Sequence, residues 1–130
     1  MNKLKVLIVN DTLRETCKPV FIQMGFEVYS PGDPQVALGW GQPGPDVIIA
    51  QIYKQVALIF TNELRKVGYK GLIFVIMDHT TIDAQFIDDC RMCGLSGIFD
   101  KATSPEILAA GITQAVKACS NPLTLAVSLN

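Results

Sequence analysis

Charge is in short supply. Only 18% of the 130 residues are charged, and 11 basic against 12 acidic side chains leave a net charge of −1. That balance offers no general electrostatic grip on nucleic acid or on an anionic membrane. The apolar run behind the two N-terminal lysines, Val6 to Val9, is far too short for a signal peptide or a membrane span, so a soluble cytoplasmic protein is expected. Histidine is represented by His79 alone, and the four cysteines (Cys17, Cys90, Cys93 and Cys119) include a single C-x-x-C pair. A zinc site built from cysteine and histidine is therefore not expected, and in a reducing compartment the thiols stay free. Internal repeats and low-complexity tracts are absent as well.

What remains is a chain of one domain's length with 49% hydrophobic residues, enough for a core that needs no metal or disulfide. Short β-branched runs punctuate it: Lys5 to Val9, Phe26 to Tyr29, Val47 to Ala50, Leu72 to Met77 and Gly97 to Phe99. Such runs suit strands buried on both faces. Between them apolar residues return at helical spacing. Leu13, Cys17, Val20, Phe21 and Met24 mark one helix, with Pro19 expected to kink or loosen it. A short helix is expected over Gln35 to Trp40. Val56, Phe60, Leu64 and Val67 mark another, and Ile82, Phe86, Cys90 and Cys93 a further one that stops at Gly94. Ser104-Pro105-Glu106 opens the last, with Ser104 as its cap and Pro105 in its first turn. Strand and helix alternate five times. The expected fold is α/β: a doubly wound, five-stranded parallel sheet with helices on both faces. Ligands and chemistry in such sheets sit at the carboxyl ends of the strands. That points to Asn10, Asp11, Gln51, Met77, Asp78, Asp100 and Lys101.

The local strings carry a resemblance. KVLIVND (Lys5 to Asp11), PDVIIAQI (Pro45 to Ile52), GYKGLIFVIM (Gly68 to Met77) and GLSGIFDKATSPEIL (Gly94 to Leu108) resemble, in this order, four segments of the response-regulator receiver family. The resemblance runs from residue 4 to about 118. It implies the flavodoxin-like receiver topology for a domain over residues 1–120, followed by a tail over 121–130. It also implies a setting in bacterial two-component signal transduction and phosphorelay.

The family's chemistry needs a carboxylate that becomes an acyl phosphate, a Mg²⁺ ion held by acidic oxygens, a lysine that pairs with the phosphate, and a hydroxyl and an aromatic side chain that respond to it. Under the resemblance the phosphoacceptor position is Gln51, a neutral amide. The acidic pair is Asn10-Asp11, which keeps one carboxylate. The hydroxyl position is Met77, or Asp78 if the register slips by one. The aromatic switch position, three before the lysine, is Ile98. Tyr53-Lys54-Gln55-Val56-Ala57 replaces the usual proline and Asp-Gly after the acceptor, and Lys101 alone is kept cleanly. Asp46, at the start of the third strand, lies on the opposite rim and is no substitute. The resemblance therefore implies a pseudo-receiver: no catalytic residue, no metal, no cofactor, and action by protein–protein contact. Its partner would be another signalling protein, whether kinase, regulator or output domain. Rival readings are a phosphorylatable receiver with a displaced acceptor and a small-ligand module of flavodoxin-like fold. For the second, Asn10-Asp11-Thr12-Leu13-Arg14 is a poor flavin-phosphate loop, and the cobalamin Asp-x-His-x-x-Gly string is missing. An enzyme using Cys or His lacks a converging constellation.

Several residues have two readings. Asp11 and Lys101 either bridge an emptied pocket or persist as structural groups. Cys90 and Cys93 fall on an inner helical stripe and read as packing. His79 reads as a solvated loop residue. Leu58, Ile59 and Trp40 either anchor a partner or fill the core's edge. Leu123 to Leu129 alternates apolar and polar residues as a strand does. Such a strand would add to its own sheet edge or to that of a second protomer, making a homodimer.

Overall fold

The computed structural model describes residues 3–33, 36, 44–118 and 126–128. Its elements run β1 (Lys5–Ile8), α1 (Asp11–Gln23), β2 (Glu27–Tyr29), β3 (Val47–Gln51), α2 (Lys54–Lys66), β4 (Leu72–Met77), α3 (Ala84–Cys93), β5 (Gly97–Asp100), α4 (Pro105–Lys117) and β6 (Ala126–Ser128), with a 3-10 turn at His79–Thr81. All strand pairs are parallel and the order across the sheet is β2-β1-β3-β4-β5-β6. The expected five-stranded core is present, and a sixth strand from the C-terminal tail joins its own sheet beside β5. The short helix expected over Gln35 to Trp40 lies outside the described residues apart from Val36, which is buried.

Side chains alternate across the sheet, so each strand feeds two cores. Val6, Ile8, Val47, Ile49, Phe74, Ile76 and Phe99 face one way and meet Cys17 and Phe21 of α1 and Leu108 and Ile112 of α4. Leu7, Ile48, Ile73, Val75, Met77 and Ile98 face the other way and meet Ala57 of α2 and Phe86 and Cys90 of α3. With both faces covered, residues 6–8, 47–50 and 72–77 are apolar throughout, as the sequence led one to expect.

The helix ends follow local chemistry. Ser104 caps α4 by accepting from the Ile107 N–H at 3.3 Å, and Asp83 caps α3 by accepting from Phe86 N–H at 2.8 Å. Gly94 ends α3 with φ +91°, a left-handed conformation that glycine adopts without the steric cost of a Cβ. Pro19 lies inside α1, as its position in the apolar pattern implied, and the helix continues through it to Gln23. No described helix is long and apolar enough to cross a membrane.

Candidate functional site

The carboxyl ends of β1, β3, β4 and β5 open into a pocket of about 640 Å³, lined among others by Asn10, Gln51, Lys54, Met77, Asp78 and Lys101. The sheet topology brings these residues together from across the chain.

Asn10 is locked in place by the backbone of Gln51. Its Nδ2 donates to the Gln51 carbonyl at 2.9 Å and its Oδ1 accepts from the Gln51 N–H at 2.7 Å. The last rung before it is the Val9 N–H to the Ile49 carbonyl at 2.9 Å, so the side chain extends the β1–β3 ladder by one step. The residue precedes α1, yet its side chain makes no capping bond there. The clasp needs one donor and one acceptor, which an amide supplies and an ionised carboxylate does not.

Asp11 is 88% exposed, and its partner is Arg14, three residues on in α1. The same guanidinium donates to the Ile8 carbonyl at 2.7 Å. Lys101 lies with Asp78 instead: its Nζ is 3.2 Å from Asp78 Oδ2. The Asp11–Lys101 bridge considered from sequence is thus replaced by two separate pairs, each with a nearer partner.

Met77 is 3% exposed and packs in the α2–α3 core. Asp78, one residue further on, is the side chain that reaches the pocket's lysine. The Thr80 backbone N–H and hydroxyl hold the Asp78 carboxyl below the usual carboxylate range, and Lys101 adds to the effect. Ile98 is fully buried in the same core as Phe86 and Cys90. Phe99, its aromatic neighbour, points to the other face and packs on Phe74 at a ring separation of 5.7 Å.

A second cluster escaped the sequence reading. Asp100, 2% exposed at the end of β5, accepts from the His79 N–H at 2.9 Å, from His79 Nδ1 at 2.8 Å and from the Ala102 N–H at 3.0 Å. The two bonds from His79, followed by that from Ala102, depress its pKa to about 2. His79, half exposed, is therefore tied to a buried anion and is not a freely solvated loop residue. The signal lay in the strand ends: Met77 pairs with Asp100, so the residues that follow β4 begin beside it.

The remaining candidates separate. Burial pushes the Cys90 thiol up to about 12, and Cys93 donates to the Cys90 carbonyl at 3.3 Å, so the C-x-x-C pair sits in a packing environment. Leu58 packs against the core while Ile59 is exposed, and Trp40 lies outside the described residues. Asp46 accepts from the Lys5 N–H at 2.8 Å, at the strands' amino ends.

A Mg²⁺ ion of the kind the receiver fold implies does not suit the β1–β3 corner. Both polar atoms of the Asn10 amide are bonded to backbone, Gln51 is neutral, and the Asp11 carboxylate is held by a guanidinium. Magnesium sites are built chiefly from carboxylates and water.

The five-stranded core and its helices define a receiver-type, flavodoxin-like fold. The solved structures it resembles agree. The chemotaxis response regulator CheY4 of Vibrio cholerae superposes with a TM-score of 0.65 at 21% identity, over 88% of this chain and 99% of that one. An orphan response regulator of H. pylori gives 0.65 at 15%, over 87% and 96%. The receiver domain of a signal transduction histidine kinase from Syntrophus aciditrophicus gives 0.57 at 16%, over 88% and 91%. At these identities the likeness establishes the fold. No family model and no curated protein sequence matches the chain.

Proposed function

We propose that this chain is a pseudo-receiver: a receiver domain of two-component-type signalling that acts by contact with another signalling protein, without a phosphorylation cycle of its own. The observation that carries the reading is the end of β3. Gln51 stands there with an amide, and Asn10 holds its main chain with two hydrogen bonds. Acyl phosphate formation needs a carboxylate nucleophile and a charge-neutralising cation, and the β1–β3 corner is built for neither. Ile98 and Met77 add to this, since two positions that would move in a phosphorylation switch are apolar side chains sealed in the core. The domain is then pre-set in one conformation or biased by its partner's binding.

The test is intact mass after incubation of the full chain with acetyl phosphate and Mg²⁺. An unchanged mass is expected. A gain of one phosphoryl group that hydroxylamine removes would overturn the reading. Were that group found on Asp78, the carboxylate beside Lys101, the chain would be a receiver with a displaced acceptor.

A further inference from the structure

We propose that Asp78, His79 and Asp100 form a binding site for a divalent transition-metal ion such as Zn²⁺ at the carboxyl ends of β4 and β5. The site is separate from the β1–β3 corner, and its donors are of two chemical kinds, one imidazole and two carboxylates. One ligand atom from each residue lies within 4.8 Å of the others. His79 Nδ1 and Asp100 Oδ1 already stand 2.8 Å apart. Two donors about 2.1 Å from one tetrahedral ion stand about 3.4 Å apart, so this pair has to open by only about 0.6 Å to act as adjacent ligands.

The surroundings favour an ion in that gap. Asp100 is buried and anionic, and its carboxylate is oriented by the His79 and Ala102 N–H groups, which fix one oxygen toward the imidazole. Such hydrogen-bonded carboxylates are typical of organised metal sites. On ion binding the imidazole gives up the Nδ1 proton and carries its proton on Nε2, so a neutral ring stays neutral. Asp78 keeps its bonds from Thr80 through Oδ1 and exchanges Lys101 for the ion at Oδ2, which lies 3.2 Å from the lysine nitrogen. Water completes the coordination, as at other sites with three protein ligands. Imidazole nitrogen beside carboxylate oxygen suits zinc, nickel or cobalt better than magnesium or calcium, which prefer oxygen alone.

The test uses the reduced full-length chain. Calorimetric titration with Zn²⁺ is expected to show one site per chain. His79→Gln and Asp78→Asn should each weaken it by about tenfold or more. Lys101→Gln, which frees Asp78, should bind at least as tightly as the native chain. His79 and Asp78 are not core residues, so loss of the fold does not confuse these variants. The Co²⁺ form should lack the intense near-ultraviolet sulfur-to-metal band. Failure of the native chain to bind stoichiometrically, unchanged affinity in both variants, or a thiolate band that places the ion on cysteines would overturn the assignment.

Discussion

Replacing Asn10 by aspartate would put a carboxylate beside Asp11 at the end of β1, and the structure says what that costs. The carboxylate still accepts from the Gln51 N–H, but it cannot donate to the Gln51 carbonyl, 2.9 Å from the present donor. One hydrogen bond is lost and two acceptors are brought face to face. A lost bond with a partner left unsatisfied is worth about 1–3 kcal/mol, and the partly exposed position favours the lower end, about 1–2 kcal/mol. For a domain of this size that lowers Tm by roughly 3–8 °C. The pH dependence identifies the cause. Ionisation next to a carbonyl oxygen is disfavoured in the folded state, so the folded pKa of the introduced carboxyl lies above its unfolded value of about 3.9. Its protonated form also regains a donor. The deficit should therefore be full at pH 7, where the group is ionised in both states, and should shrink as the pH falls through the folded pKa toward 3.9. Urea unfolding followed by circular dichroism, comparing Asn10→Asp with the native chain at pH 7 and pH 4, measures both quantities. Equal stability at pH 7, or a deficit that is the same at both values, would refute the clasp as the source.

Gln51→Asp alone should not confer efficient phosphorylation, because Asn10 stays bonded to backbone and the group's partners act as a unit; rapid acyl-phosphate formation in that variant, read by intact mass, would contradict this. Asp100 has a folded pKa of about 2, below the unfolded value of about 3.9, so its contribution to stability is present above pH 4 and is lost as the pH falls toward 2. Thermal melts across that range should show a steeper acid-side loss for the native chain than for Asp100→Asn, and parallel curves would count against the assignment. Truncation after Asn121 removes β6 and bares the edge of β5, which should destabilise the domain by on the order of 1–2 kcal/mol and promote self-association. An unchanged melt and an unchanged mass in solution would make β6 a passive end.

Much of the fold could be read from the residues because its signals are local. Residues 6–8, 47–50 and 72–77 are apolar throughout, as strands buried on both faces must be, and Ser104-Pro105 opens α4 by its own backbone chemistry. The site was harder because it depends on register. Asn10 and Gln51 are 41 residues apart, and their bonds follow only once Ile8 is known to sit opposite Ile49. His79 and Asp100 meet for the same reason across β4 and β5. Two features were within reach of local rules. Asp11 and Arg14 are one helical turn apart, and this short-range pair forms in preference to a long-range one. Strand parity puts Met77 on the same face as Val75, which leaves Asp78 as the side chain that turns to the pocket.

The placement of β6 also bears on how the protein is made. β5 pairs on one side with β4, which precedes it, but on the other with a strand that follows the whole of α4. During synthesis the first five strands and their helices emerge while that second side has no partner. The β5 edge is bare from the moment β5 leaves the ribosome tunnel until β6 leaves it too. In that interval the unpaired edge can pair with the edge of another chain, which the arrival of β6 prevents.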